Sequence, residues 1–517
     1  MLRPLAIFFL ATAALAQQPT FRAATHLVQV DVVVHNKAGA VAGLQKSNFT
    51  LLDEGKPQPI TIFSVTASGG HTSSATPLPT GAVSNRWNKQ GEPLATATIL
   101  LIDRLNTPVN DQLYANRKIL QFLQTQGARD RFGIYILGNS LRVVQDLTAD
   151  PDRLNRAIKN VKPQDVKRLS ADVKLDATGD AVTDAMLANS ISALQDFVLD
   201  DRVGTTQKAL IAIARHLAKV PGRKNLIWVS GSFPLLIVKP HEVIDYSKDV
   251  DAAARALNDA NVAVYPVDAR GLIGTPAGNA EQGPAGRPNC FTLGVCAPPE
   301  QRGGPSGVDT MNTLAGLTGG LAYYNTNGIE DSIRKANDDS EITYTLGFAP
   351  SDDSFDDKFH KLTVKVDRKG VDVRFRKGYF AMRAQAEPSV PETVTQLLQS
   401  PLDATAVGLT AEARPDTSQP GRYDVRAVVD LRGVQLTHAN GLSSGSVDIS
   451  LFIEGTQSIR TLNRRFEIPD EQLAAALQSG LEVKDSLNAG GNARSLRVVV
   501  QDRATGAGGS VRLSLWR

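Results

Sequence analysis

The spacing of apolar positions near the start of the chain predicts β-strands. From Val28 to Val34 apolar residues occupy alternate positions, and the alternation resumes between Phe49 and Ile62. A period of two is typical of strands that bury one face. The residues NKAG supply a turn inside this region. The pattern therefore predicts a β-sandwich-like module over residues 25–66.

From about residue 95 the pattern changes to short apolar runs that alternate with helical periodicity. The strand-like runs are ATILLID, RFGIYILG, LRVVQDL, KNLIWVSG and NVAVYPVDA. The helix-like segments include DQLYANRKILQFLQTQ, DAMLANSISALQDFVLDD, TTQKALIAIARHLAKV and VDAAARALNDA. This alternation predicts an α/β fold over residues 95–340, with a mostly parallel, Rossmann-like sheet and helices on both faces. Ligands of such sheets gather at the carboxyl ends of the strands, and Asp103 lies at such an end.

Two later regions return to the period of two. In residues 341–381, Leu362, Val364 and Val366 alternate with polar residues, and DRKG predicts a hairpin turn. We expect this β-hairpin region to pack with residues 25–66. Residues 400–517 predict a C-terminal β-domain of unknown type, with one helical piece at PDEQLAAALQSG. Residues 66–94 are rich in Ser, Thr, Gly and Pro, which is typical of a linker.

The composition argues against several classes of partner. Of the 517 residues, 42% are hydrophobic and 21% are charged, and the formal net charge is +3. These values are ordinary for a globular chain of several domains. A net charge this small does not indicate nucleic acid or an anionic surface as a partner.

The N-terminal sequence MLRPLAIFFLATAALAQQ predicts a secretory signal peptide over residues 1–16. Arg3 precedes a short apolar stretch, and Ala14 and Ala16 form an A-x-A-type cleavage site. We expect export to the periplasm, the cell surface or the medium, with no transmembrane segment after cleavage. In an oxidising compartment Cys290 and Cys296 are expected to form a local disulfide, since no His or further Cys accompanies them as in a metal site.

Several long stretches resemble exported bacterial proteins that carry a von Willebrand factor A (VWFA)-related domain. They are VDVVVHNKAGAVAGLQKSNFTLLDEGKPQPI, PGRKNLIWVSGSFP, TYTLGFAP and FHKLTVKVDRKGVDVRFRKGYFA. The resemblance implies a von Willebrand factor A-like fold over residues 95–340, with a cation site at the strand ends. It also implies binding or adhesion rather than catalysis.

The metal-ion-dependent adhesion site of that family implies which positions of this chain would surround a cation. Its D-x-S-x-S element corresponds to Asp103, Leu105 and Thr107. Its Thr corresponds to Thr205 or Thr206, and its last acidic residue corresponds to Ser230. Asn106 lies beside Leu105, which cannot ligate a metal. Because either threonine could also begin a helix, an N-cap role stays open for both.

This ligand set predicts a degenerate metal site. Mg²⁺ prefers several oxygen ligands, and only one carboxylate, that of Asp103, is left here. We therefore expect no cofactor, with Asp103 and Thr107 bracing the loop by hydrogen bonds. The alternative is Mg²⁺ or Ca²⁺ bound by Asp103, Thr107 and Thr205.

Signals for catalysis are weak in this sequence. GLSSG, at residues 441–445, matches the nucleophile motif G-x-S-x-G, but a predicted strand follows where that motif requires a helix. The histidines are scattered, with no H-E-x-x-H spacing, and GLTGG lacks the lysine of a phosphate-binding loop. Asp268, near a strand end, is expected to cap a helix or brace a loop.

The sequence thus predicts a non-enzymatic, exported protein that binds a protein partner or acts in adhesion. Its binding surface would include Asp103, Asn106, Thr107, Thr205 and Ser230. Two alternatives stay open: a structural subunit of a cell-envelope assembly, and a hydrolase with its chemistry in residues 400–517. A large apolar patch would favour the assembly, and a nucleophile with a base in reach would favour the hydrolase.

Overall fold

The computed structural model describes most of the chain beyond the N-terminal segment. The described residues are 28–67, 81–85, 97–125, 131–148, 150–163, 180–218, 220, 223–231, 236–238, 243–272, 307–339, 341–350, 356, 358–381, 390–400, 402–456, 459–489 and 493–515. The predicted signal peptide and the predicted Cys290–Cys296 disulfide lie outside them. Within these ranges, no helix has both the length and the apolar character needed to cross a membrane.

The strands are numbered here in chain order. They are β1 (Val28–Asn36), β2 (Gly39–Ala40), β3 (Phe49–Asp53), β4 (Lys56–Gln58), β5 (Ile62–Ala67), β6 (Val83–Ser84), β7 (Ala97–Asp103), β8 (Arg131–Leu137), β9 (Leu141–Thr148), β10 (Lys224–Ser230), β11 (Leu236–Val238), β12 (Val243–Asp245), β13 (Val262–Asp268), β14 (Ile342–Phe348), β15 (Phe359–Val366), β16 (Asp372–Arg374), β17 (Gly378–Phe380), β18 (Leu409–Pro415), β19 (Arg422–Val429), β20 (Thr437–Ala439), β21 (Leu442–Ile453), β22 (Ile459–Pro469), β23 (Leu481–Asn488), β24 (Ser495–Asp502) and β25 (Gly508–Ser514).

The helices follow the same convention. They are α1 (Val109–Thr125), α2 (Pro151–Lys159), α3 (Ala181–Leu217), α4 (Ser247–Asp259), α5 (Gly307–Thr318), α6 (Ile329–Asp338), α7 (Val390–Gln399) and α8 (Asp470–Ser479). Short 3₁₀ turns lie at Lys46–Asn48 and Leu431–Gly433.

The central sheet has the strand order β13-β10-β7-β8-β9. The first four strands are mutually parallel, and the edge strand β9 is antiparallel to β8. Every residue of β7 and β10 is buried, which explains why both strands read as continuous apolar runs in the sequence.

Helices cover the two faces of this sheet. Along β7, Ile99 and Leu101 belong to one core cluster with residues of α3 and α4, whereas Leu100 and Ile102 belong to another with residues of α1, α2 and α6. The chain therefore leaves β7 and β10 toward opposite faces, through α1 and α4. Such a switch in direction opens a crevice at the carboxyl ends of the two strands.

The helix α3 is longer than the sequence pattern indicates. Two separate helices were expected around residues 184–201 and 205–220, but α3 runs without interruption for 37 residues. Its N-cap is Asp180, whose carboxylate accepts a hydrogen bond from the Thr183 amide at 3.2 Å. Thr205 and Thr206 consequently lie inside the helix, and neither is an N-cap.

A two-sheet β-module combines strands from before and after the central sheet. One sheet has the order β16-β1-β14-β5, and the other has the order β17-β15-β3-β4. Their facing side chains share one core, which includes Val30, Val32, Leu51, Tyr344 and Leu362. Strands far apart in sequence thus depend on each other for burial.

The C-terminal region contains two further antiparallel sheets around a common core. The orders are β23-β19-β18-β6 and β20-β21-β24-β25, with β22 paired to β21. Strand β6 lies in the segment interpreted as a linker, and it pairs with β18 through Ala411 and Thr410. That part of residues 66–94 is therefore structural and does not only connect domains.

Buried charges join the β-module to the amino-terminal edge of the central sheet. Arg223 donates hydrogen bonds to the Tyr265 hydroxyl at 3.1 Å and to the Gly319 carbonyl at 2.6 Å. Tyr265 in turn donates to Asp339 at 2.6 Å, and Asp339 forms an ion pair with Arg374 of β16 at 2.6 Å. The two units are therefore connected through directional, charge-assisted contacts.

Lys224, at the first position of β10, provides a test of this buried edge. Burial lowers the pKa of its ammonium group to about 8, although the charge of Asp31 opposes the shift. Below pH 8 the folded and unfolded chains both carry the proton, so the cost of burying the charge is fully present. Between pH 8 and 10.5 the folded chain has released it, and folding becomes more favourable as the pH rises.

We predict that Lys224→Met raises the free energy of unfolding, relative to wild type, by the largest amount at neutral pH. The difference in unfolding free energy should shrink by on the order of 2 kcal/mol between pH 8 and pH 10. Chemical denaturation across this pH range measures it, with the exposed Lys208→Met as control. A difference that does not change with pH would show that Lys224 is not strained by burial.

Candidate functional site

Asp103 and Ser230 lie side by side at the crevice between β7 and β10. Each is the last residue of its strand, and the two strands are parallel neighbours. Asp103 is 1% exposed and Ser230 is fully buried. The predicted strand-end position of both residues is therefore present, but both side chains lie beneath the surface.

The carboxylate of Asp103 accepts four hydrogen bonds from the protein. The Asn106 backbone amide donates to Oδ1 at 2.9 Å. The Asn106 side-chain amide, the Trp228 indole and the Ser230 hydroxyl donate to Oδ2 at 2.8, 3.0 and 2.8 Å. Oδ2 thus takes three donors, more than its two lone pairs, whereas Oδ1 takes one, so Oδ2 is fully occupied by protein groups.

Asn106 connects Asp103 to α3. Its Nδ2 also donates to the Thr206 hydroxyl at 3.0 Å, and its Oδ1 accepts from Nε and Nη2 of Arg202 at 3.2 and 3.1 Å. Thr206 donates to the Arg202 carbonyl at 2.9 Å, one helical turn earlier. The amide thus links the first loop, the helix and a guanidinium in one network.

Thr107 fastens the same loop to the end of β10. Its hydroxyl accepts a hydrogen bond from the Gly231 amide at 2.8 Å, and its carbonyl accepts one from Gln112 Nε2 at 2.8 Å. Thr107 is 2% exposed. Its oxygens therefore bind protein donors within the fold.

Two of the predicted site positions, Leu105 and Thr205, do not join the network. Leu105 is fully buried and packs in the core cluster that contains Trp228 and Val203. Thr205 is half-buried, and Thr206, not Thr205, forms the hydrogen bond to Asn106. The reason is helical geometry, since adjacent residues on α3 point about 100° apart and only one can face the loop.

Burial and hydrogen bonds, rather than a neighbouring charged group, determine the pKa of Asp103. Burial raises its pKa above the usual range, and hydrogen bonds from Asn106, Ser230 and Trp228 oppose the rise. Within the described ranges, no group of three or more His, Cys, Asp or Glu side chains is placed to hold a metal ion.

Sequence reasoning missed Arg202, Trp228 and Gly231. Arg202 lies on the long helix that the pattern divided in two, and Trp228 reads as one more apolar residue of β10. Gly231 is required by close approach, because a Cβ there would lie 2.9 Å from the Asn106 carbonyl oxygen and 3.2 Å from the Thr107 Cα. The glycine directly after Ser230 in WVSG is the signal that could have identified this contact.

Asp268, the last residue of β13, braces the loop that follows it, which is one of the two roles predicted from the sequence. Its carboxylate forms a bidentate pair with Arg270, with Nε at 3.0 Å and Nη2 at 2.8 Å, and accepts the Arg270 amide at 3.0 Å. This carboxylate is thus engaged within its own loop.

The serine of GLSSG contacts a histidine and an aspartate, but in a different order from a catalytic triad. Ser443 is fully buried inside β21; its hydroxyl donates to Asp470 at 2.6 Å and lies 2.8 Å from His438 Nδ1. In a triad the imidazole lies between the serine and the carboxylate. Here the serine donates directly to the carboxylate, and His438 Nδ1 lies 3.7 Å from the same carboxylate oxygen, so the three side chains link a hairpin to the start of α8.

Comparison with known proteins gives matches among solved structures. No family model matches the chain, and no curated protein matches it. An aerotolerance-related membrane protein from Bacteroides fragilis is 13% identical, with a TM-score of 0.26, over 48% of this chain and 99% of that one. The ArnB paralog VWA2 from Sulfolobus acidocaldarius is 11% identical, with a TM-score of 0.24, over 64% and 76%.

A third similar structure is the vWF domain of the type V pili tip protein Mfa5 from Porphyromonas gingivalis. It is 13% identical, with a TM-score of 0.17, over 28% of this chain and 45% of that one. The assignment of the fold rests on the strand order of the chain itself. That order gives an α/β fold, with a five-stranded and mostly parallel sheet, an antiparallel edge strand, helices on both faces and Asp103 at the end of β7.

We predict that Gly231→Ala destabilises the chain by about 1–3 kcal/mol, because the new methyl group must displace the Asn106–Thr107 backbone. Denaturant unfolding measures the change. Gly138→Ala is the matched control, since a Cβ there meets no atom within 4 Å. Equal stability of the two variants would contradict the tight contact between the first loop and β10.

Proposed function

We propose that the chain is a non-enzymatic, exported protein that binds a protein partner, as in adhesion, through the strand-end face of its von Willebrand factor A-like domain. We further propose that its metal-ion-dependent adhesion site is degenerate and works without a divalent cation. The observation that carries the proposal is the engagement of the Asp103 carboxylate by four protein donors, which come from Asn106, Trp228 and Ser230.

The donor set does not suit Mg²⁺ or Ca²⁺, which take oxygen ligands with free lone pairs. Asn106 turns its N–H group, not its carbonyl oxygen, toward Asp103 and Thr206. The Ser230 hydroxyl donates a hydrogen bond to Asp103, and Leu105 contributes no oxygen. The Arg202 guanidinium places positive charge next to Asn106, which further disfavours a cation there.

The absence of a mobile ion would give this face a fixed shape. The hydrogen bonds from β7, β10 and α3 hold the first loop against the sheet, so a partner would meet a preformed surface. Preformed surfaces bind with little ordering cost. In this proposal, recognition depends on shape and on exposed charge at the strand ends.

We predict that calorimetric titration of Mg²⁺, Mn²⁺ and Ca²⁺ into the mature protein gives no saturable heat at millimolar metal. Asp103→Ala should behave in the same way, while losing about 3 kcal/mol or more of stability because several buried donors lose their acceptor. Saturable binding that Asp103→Ala abolishes would overturn the cation-free site.

The binding role is tested with the immobilised mature chain and envelope proteins of the source organism. A specific partner should be retained equally in Mg²⁺ and in EDTA, and Arg202→Ala should retain less of it than wild type. Arg153→Ala, an exposed helix position, is the control. Retention only with metal, or no specific retention, would contradict the proposal.

A structural subunit of an envelope assembly is the second candidate, and the first half of α3 favours it. Val182, Met186, Leu194 and Phe197 are exposed there, Phe197 by 69%. Exposed apolar side chains along one helix are typical of an interaction surface.

For that candidate we predict self-association that depends on these side chains. Light scattering should show oligomers for wild type and a shift toward monomer for the combined change Met186→Ser, Leu194→Ser and Phe197→Ser. The combined change Leu113→Ser, Val143→Ser and Ile459→Ser, at other exposed apolar positions, is the control. If the wild-type protein stays monomeric at high concentration, self-assembly through this helix is ruled out.

A further inference from the structure

Arg104 occupies an unusual place for a cation. It directly follows Asp103, and its backbone amide donates to the Leu137 carbonyl of β8 at 2.7 Å. The residue is 6% exposed, so its side chain lies almost wholly inside the fold. A guanidinium is therefore held between the ends of two neighbouring parallel strands.

The guanidinium has no partner among the residues that the structure describes. Its Nε is buried without a hydrogen bond, and no described carboxylate pairs with it. Two other buried cations have partners: Arg223, whose Nε is also unpaired, donates through Nη2 to Tyr265 and Gly319, and Lys224 donates to the Val220 carbonyl at 2.8 Å. An unpaired buried charge is costly, and it is most easily understood where a ligand supplies the missing partner.

A second arginine, Arg142, lies close to Arg104 in the fold. Arg142, on the edge strand β9, pairs in register with Ile136 of β8 and is exposed. Leu137, whose carbonyl accepts the Arg104 amide, pairs with Leu141, and Arg142 directly follows Leu141. Two cations that repel each other define a position where an anion would be stabilised by both.

We propose that Arg104 and Arg142 form a binding site for a carboxylate from outside the chain, supplied by a small organic acid or by an acidic side chain of a bound protein. Guanidinium groups bind carboxylates through paired N–H donors, which suits the free Nε of Arg104. The site goes beyond the proposed function, since a carboxylate could bind there whether or not Asp103 holds a cation.

The test compares carboxylates with chloride at constant ionic strength. Sodium glutarate should raise the melting temperature of wild type relative to sodium chloride, and titration should give saturable binding. In Arg104→Met the affinity should fall at least tenfold, as expected from the loss of a charge-assisted pair. Arg117→Met, at an exposed position of α1, is the control and should bind like wild type.

Two further comparisons separate a loss of carboxylate binding from a loss of folding. Arg104→Lys retains the charge and loses the planar fork, so it should fold and bind more weakly than wild type. Arg104→Met should also be more stable than wild type in chloride, because an unpaired buried charge is removed. Undiminished binding in both Arg104 variants, or no glutarate effect on wild type, would overturn the proposal.

A last arm separates the two sources of the carboxylate. An Asp-containing hexapeptide and its Asn counterpart are titrated beside glutarate; binding of the Asp peptide far tighter than glutarate points to a protein ligand, and similar affinity points to a small acid. Neither outcome depends on the metal titration or on partner retention. A failure of the proposed function is therefore distinguishable from a failure of this site.

Discussion

The strand-end face depends on the buried carboxylate of Asp103. Its four hydrogen bonds reach the first loop, through Asn106, and the neighbouring strand, through Trp228 and Ser230. Asn106 extends the network to Thr206 and Arg202 on α3. A carboxylate buried at this depth is tolerable only when nearly every lone pair has a donor, so each of these residues constrains the others.

The opposite end of the sheet relies on the same principle with the charges reversed. There Arg223 and Lys224 are the buried groups, Tyr265 and main-chain carbonyls accept their hydrogen bonds, and Asp339 accepts from Tyr265. Arg374 of the β-module closes the network through Asp339. The apolar layers of the sheet would pack in several registers, whereas these directional contacts specify which loops and which module lie at each end.

The sequence allowed much of the fold to be predicted, because strand and helix periods are local properties. The alternation of strands and helices and the position of Asp103 at a strand end follow from residues close in the chain. The continuity of α3 did not follow, since the Gly204–Thr205–Thr206 stretch has a composition typical of a helix start. The choice of Thr206 over Thr205 depends on the rotation of that helix, and the role of Trp228 depends on the pairing of β7 with β10. Such facts come from tertiary geometry, which no local pattern encodes.

If the proposed cation-free site is correct, the geometry at Asp103 shows which protein groups would take the place of a cation. If a cation is lost while the carboxylate stays, an uncompensated buried charge is left, which costs several kcal/mol. An amide at Asn106, a hydroxyl at Ser230 and an indole at Trp228 supply donors at the positions where ligand oxygens would otherwise converge on an ion. Because these groups are attached to the backbone, they cannot dissociate as an ion can. The face would then lose ion-controlled binding and gain a fixed geometry, and any charge it offers to a partner must come from side chains such as Arg202.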